Sequence, residues 1–172
     1  MAKVSLRTWD ERTQSPLFWL VTGLGVGMAK PAPGTWGSLL GLALGYGLIM
    51  LNVGVIELIL LTAVLTVISS IAIDRIENTI GIHDAPEIII DEIAGQWLAL
   101  VPLLWLEPSL VLYGLAFVLF RFFDIIKPWP IGWLDKEVAG GFGVMVDDLV
   151  AGILSAISII MLTYLGLLDG LY

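Results

Sequence analysis

The sequence predicts an all-α fold, an integral membrane helical bundle with about 4–6 transmembrane or re-entrant helices. Composition carries most of this. Of 172 residues, 58% are hydrophobic and only 14% charged, where soluble domains carry about a quarter charged residues. Mean hydropathy is +0.96. The length suits one domain over 1–172.

Five apolar blocks stand out: 16–29, 38–51, 55–73, 93–123 and 149–168. A helix needs about 20 apolar residues to cross a bilayer, so the third and fifth blocks are long enough and the first is too short. It is expected to be re-entrant or interfacial. The fourth is interrupted by "EPS" (107–109) and reads as a hairpin of two short helices. The second and third turn back at "NVG" (52–54). This pairing places polar loops 30–37, 74–92 and 124–148 on one side of the membrane. Their Lys30, Arg75, Lys127 and Lys136, with Arg121 at the border of the last loop and Lys3, Arg7 and Arg12 of the N-terminus, make that side cytoplasmic by the positive-inside rule. Gly37, Gly41 and Gly45, Gly23 and Gly27, and Gly152 with Ala156 have the four-residue spacing of close helix packing.

A net charge of −8 argues against nucleic acid as a partner. The absence of cysteine excludes disulfides and thiolate chemistry. The polar N-terminus precedes no small-residue cleavage site, so no cleavable signal peptide is expected.

Charge concentrates at the predicted helix ends. "HDAPEIIIDE" carries His83, Asp84, Glu87, Asp91 and Glu92. "RFFDIIKP" spaces Arg121, Asp124 and Lys127 along one face of a helix that Pro128 must end. Asp147 and Asp148 open the last block, and Asp148 would share a face with Gly152, where a ligand could approach the backbone. In "KPAPGTWGS", Lys30, Thr35 and Ser38 precede a helix whose N-terminus would receive an anion, or which Ser38 would simply cap. Asp135, Lys136 and Glu137 are expected in a solvated turn without chemistry. Trp129 and Trp133 suit an interfacial anchor.

Clustered carboxylates repel unless a cation joins them. All-oxygen ligation favours Mg²⁺, shared between carboxylates and a substrate phosphate. The residues therefore point to Mg²⁺-assisted phosphate chemistry on a lipid of the bilayer. Asp91, Glu92, Asp147 and Asp148 are the expected metal ligands, with Asp124 contributing beside them. Thr35, Ser38, Arg121 and Lys127 are expected to hold phosphate, and His83 and Asp84 to move protons. Either water or an Asp would be the nucleophile. A cation transporter using the same carboxylates is the alternative.

Four segments, "PAPGTWGS" (31–38), "HDAPEIIIDEIAGQW" (83–97), "FRFFDIIKPWPIGWLD" (120–135) and "GGFGVMVDDLVAG" (140–152), resemble the phosphatidylglycerophosphatase A family of bacterial membrane phosphatases. The resemblance implies an all-helical, Mg²⁺-dependent enzyme of the bacterial inner membrane. Its substrate would be phosphatidylglycerophosphate and its product phosphatidylglycerol.

Overall fold

The computed structural model describes residues 5–81, 85–106 and 109–170. Among them the chain forms seven α-helices and no strand. α1 (Pro16–Val21) is a six-residue stub. It ends where Gly23, Leu24 and Gly25 adopt positive φ, so the Gly23/Gly27 spacing lies in a turn and not on a helix face.

α2 (Pro33–Met50) begins before the expected residue 38. Pro33 sits in its first turn, where its missing N–H costs nothing. Ser38 is consequently not a cap: its hydroxyl donates to the Gly34 carbonyl at 2.8 Å from inside the helix. Gly37, Gly41 and Gly45 form the buried face of α2, against Ile89, Ile93 and Leu100.

α3 (Val55–Ile80) runs past the expected end at residue 73 to a left-handed cap at Gly81. Leu58, Thr62, Thr66, Ser69 and Ile73 are buried, while Ile56, Leu60, Val64 and Ile71 are exposed. Thr62 and Thr66 hydroxyls donate to carbonyls one turn back, at 2.8 Å each. Hydroxyls satisfied in this way can enter an apolar interface at low cost.

The hairpin expected from the fourth block is present as α4 (Ile90–Ala99), a 3₁₀ turn (Val101–Leu104) and α5 (Leu110–Ile126). Its tip residues, Glu107 and Pro108, lie outside the described residues. Ser109 caps α5 by accepting from the Leu112 N–H at 3.3 Å. Lys127 ends α5 in the left-handed region at φ 46°, and Pro128 prevents continuation. A short helix, α6 (Ile131–Glu137), then fills what the sequence suggested was a solvated turn.

α7 (Gly140–Tyr164) starts well before the expected residue 149. Asp147 and Asp148 therefore sit two turns inside the helix, not at its start. Its N-terminus is capped from a distance: the Asp74 carboxylate on α3 accepts from the Gly141 N–H at 2.6 Å.

α4 occupies the centre, packed against α2, α3, α5 and above all α7. At ten residues it is about 15 Å long, too short to cross a membrane. α3 and α7 are long and apolar enough to do so, with mean hydropathies of 2.4 and 2.0.

Candidate active site

One cleft of about 610 Å³ opens at the end of the bundle where α2, α4 and α7 begin and α5 finishes. Its walls include Gly34 of α2, Asp91 and Glu92 of α4, Arg121 and Asp124 of α5, and Asp148 of α7.

The close approach of α4 and α7 sets its geometry. A Cβ on Gly95 would fall 2.5 Å from the Asp148 carbonyl oxygen, and one on Gly152 would strike the Gly95 carbonyl. Only glycine allows these backbones to touch at both points. Asp91 lies four residues before Gly95, and Asp148 four residues before Gly152. The two helices thus run side by side in the same direction and carry their acids to the same level. Gly152 is consumed by this packing and offers no backbone to a ligand, contrary to the expectation that it would.

Asp91, Glu92 and Asp148 each bring one carboxylate oxygen within 4.8 Å of the others. Asp91 Oδ1, Glu92 Oε2 and Asp148 Oδ2 are buried without any hydrogen-bond partner. Unpartnered buried acceptors are rare and costly, and a divalent cation would satisfy all three. The donor set, all hard oxygen, suits Mg²⁺.

Burial pushes the Asp91 carboxyl well above the ordinary range, and the neighbouring Glu92 charge adds to it. Glu92 is pushed up to about 8, first by burial. Hydrogen bonding to Asp91 opposes this, Asp148 and Asp124 reinforce it, and Arg121 opposes it again. Burial thus favours the protonated form of both carboxyls, and a bound cation would favour the charged form instead.

The fourth expected ligand, Asp147, faces elsewhere. Its Oδ2 accepts from Lys127 Nζ at 2.5 Å, and the same ammonium donates to Asp135 Oδ1 at 2.6 Å. Burial alone would lower the Lys127 pKa, but the hydrogen bonds to these two acids outweigh it and raise it. Lys127 is a permanent cation on the cleft wall. Asp135, expected to be a bystander, holds it there.

Arg121 pairs with Asp124 at 2.5 Å and donates to Ser38 Oγ at 3.1 Å through the same nitrogen. Its Nε is buried and unpartnered. Ser38 thus touches the site through Arg121, whereas Thr35 is not on the cleft wall. His83 and Asp84 lie outside the described residues, but Ala85 and Pro86, which follow them, line the cleft.

Two features escaped the sequence reading. One is Asp135, whose partner lies eight residues earlier across a chain reversal. The other is a recurring pattern: "DEIAG" (91–95) and "DLVAG" (148–152) are both D-x-x-A-G. That recurrence would have paired α4 with α7 before any coordinates.

A family model described as Phosphatidylglycerophosphatase A matches residues 19–163. A Haemophilus influenzae protein named phosphatidylglycerophosphatase A is 38% identical over 150 residues, covering 87% of this chain and 90% of its own. An Escherichia coli protein of the same name is 35% identical over 145 residues, covering 84% and 82%. A Bacteroides thetaiotaomicron protein named putative phosphatidylinositol-3-phosphatase is 36% identical over 145 residues, covering 80% and 87%. No solved structure matches. The glycine-packed acids of α4 and α7 and the Arg121–Lys127 wall all fall within the matched region, and the chain belongs to the phosphatidylglycerophosphatase A family.

Proposed function

We propose that this enzyme hydrolyses the terminal phosphomonoester of phosphatidylglycerophosphate, giving phosphatidylglycerol and phosphate. One observation carries the reading: three convergent carboxylates with unpartnered oxygens face a wall holding two fixed cations. Acids alone would repel a phosphate. Acids holding Mg²⁺ beside Arg121 and Lys127 would bind it.

Asp91, Glu92 and Asp148 would hold the ion, which when bound supplies Lewis-acid polarisation of the phosphoryl oxygens. Arg121, steadied by Asp124 and Ser38, supplies a guanidinium charge at the cleft wall for the phosphate. Lys127, held by Asp135 and Asp147, adds a second positive charge on the cleft wall. A water oxygen forms the new bond to phosphorus while the bond to the glycerol oxygen breaks. Asp124 is assigned to take a proton from that water. His83 and Asp84 are assigned to protonate the departing oxygen, which their neighbours Ala85 and Pro86 support by lining the cleft.

The apolar faces of α3 and α7 support a multi-pass bundle in the bacterial inner membrane. The cleft end would face the cytoplasm, because Lys30, Arg121, Lys127 and Lys136 belong to that end. A cation transporter would need acids along a path through the bundle, whereas these gather at one mouth.

The test is phosphate release by purified protein from phosphatidylglycerophosphate and, separately, from phosphatidylinositol 3-phosphate, each with Mg²⁺ and with EDTA. Mg²⁺-dependent release from the first is expected. Release only from the second would reassign the headgroup, and release undiminished by EDTA would remove the metal.

A further inference from the structure

Glu87 is the one acid of the "HDAPEIIIDE" segment that the proposed chemistry leaves idle, yet it is only 3% exposed. Among the described residues, its side-chain partners come from the N-terminal residues. Ser5 Oγ donates to Oε1 at 2.5 Å, the Leu6 N–H donates to Oε2 at 2.9 Å, and Arg7 Nε donates to Oε1 at 3.2 Å. Arg7 also donates to the Met28 carbonyl at 2.5 Å, and Leu6 is fully buried beside these bonds. The Ile89 N–H donates to the Val21 carbonyl at 2.9 Å, and the Gly27 backbone lies against the Glu87 carbonyl. The segment 85–89 is thus gripped on one side by residues 5–28.

Its other side faces the cleft. Pro86 and Ile88 line it, and Asp91 and Glu92 follow within one turn. A buried ion pair contributes little net stability compared with an apolar substitute, but it fixes position. Residues 5–7 also lie outside the stretch matched by the family model.

We infer that residues 5–7 form a strap which, through Glu87 as a positioning residue, holds segment 85–92 so that Asp91 and Glu92 meet Asp148. The inference rests on the reading of those three acids as a cation site. It is tested on the full chain in detergent with Arg7→Ala, Arg7→Lys and Glu87→Gln. Arg7→Ala is expected to speed amide hydrogen exchange across 85–92 by roughly tenfold, leaving the middle of α7 unchanged. At a temperature well below unfolding, its half-saturating Mn²⁺ concentration should rise about tenfold while KM for lipid stays put. Arg7→Lys should restore both, and Glu87→Gln should behave like Arg7→Ala.

Wild-type exchange across 85–92 and wild-type Mn²⁺ binding in Arg7→Ala would overturn the strap, even if the melting temperature falls. Because the Arg7 side chain is 35% exposed, that variant decides the matter should Glu87→Gln fail to fold. A wild-type chain that binds Mn²⁺ but releases no phosphate would overturn the proposed activity and not the strap. A wild-type chain that binds no Mn²⁺ would remove the cation site, and the exchange measurement alone would then decide whether the grip on 85–92 exists.

Discussion

α4 and α7 carry the same pentapeptide pattern into the same cleft by opposite means. α4 is ten residues long and presents Asp91 and Glu92 from its first turn, directly after a loop. α7 is 25 residues long and presents Asp148 from its interior, behind two turns of helix. The acid of α7 is held by its own backbone ladder, whereas the acids of α4 depend on whatever holds the preceding loop. The difference shows that one local pattern can build half a site on rigid support and half on borrowed support. The remote contacts follow the same division: Asp74 fixes the start of α7, and the N-terminal residues fix the approach to α4.

The largest expected effect comes from removing an acid from either helix. Asp91→Asn and Asp148→Asn should each lower Mg²⁺-dependent phosphate release at least about 10²-fold with the fold intact, as judged by circular dichroism. If only one of them mattered, the two helices would not share an ion.

Forcing the helices apart should come next. Gly95→Val and Gly152→Val should each cost about 1–3 kcal/mol of stability and weaken Mn²⁺ binding together, because the same contact is lost from both sides. Gly114→Val on α5, where an added Cβ meets nothing within 4 Å, is the matched control and should do neither.

The pH dependence sharpens the comparison on the α4 side. Glu92 is raised from 4.5 to about 8 in the fold, and Asp91 moves the same way. Between those values the folded state binds more protons than the unfolded one, so this contribution to stability is present at low pH and is lost as pH rises toward 8. A bound cation removes the penalty by replacing the protons. The difference in melting temperature between Mg²⁺ and EDTA samples should therefore widen steadily from pH 5 to pH 8. A gap of constant width would show that these carboxyls do not release protons to the ion.

The smallest effect belongs to the remote cap. Asp74→Ala should lower stability by about 1 kcal/mol, the usual worth of a helix cap, with Asp74→Asn losing less. Thermal unfolding measures both.

Much of this was legible in the sequence. The helical class, the hairpin of α4 and α5, the glycine face of α2 and the carboxylates that now meet could be read from apolar blocks and the positions of charge. Helix starts could not. "PGTWG" and "GGFG" look like loops because glycine and proline are poor helix formers, yet both begin helices. In α7 the reason is tertiary: a Cβ on Gly141 would strike the Ser70 carbonyl of α3, so the residue that weakens the helix locally is the one that lets it dock. That shift moved Asp147 and Asp148 from a cap to a helix interior. It also rotated Asp147 toward Lys127 and left Asp148 with the α4 acids. Asp135 and Glu87 were hidden for a different reason, since each matters only through a partner that chain folding delivers.

The paired D-x-x-A-G pentapeptides also amount to a portable part. Two parallel helices, each with a small-residue contact one turn below an acid, set the height at which two carboxylates meet, provided the backbone leading into each acid is held. A designer could graft both pentapeptides at matching heights onto neighbouring parallel helices of an unrelated scaffold. Divalent-ion binding by that graft would show how little of this chain is needed to write the site.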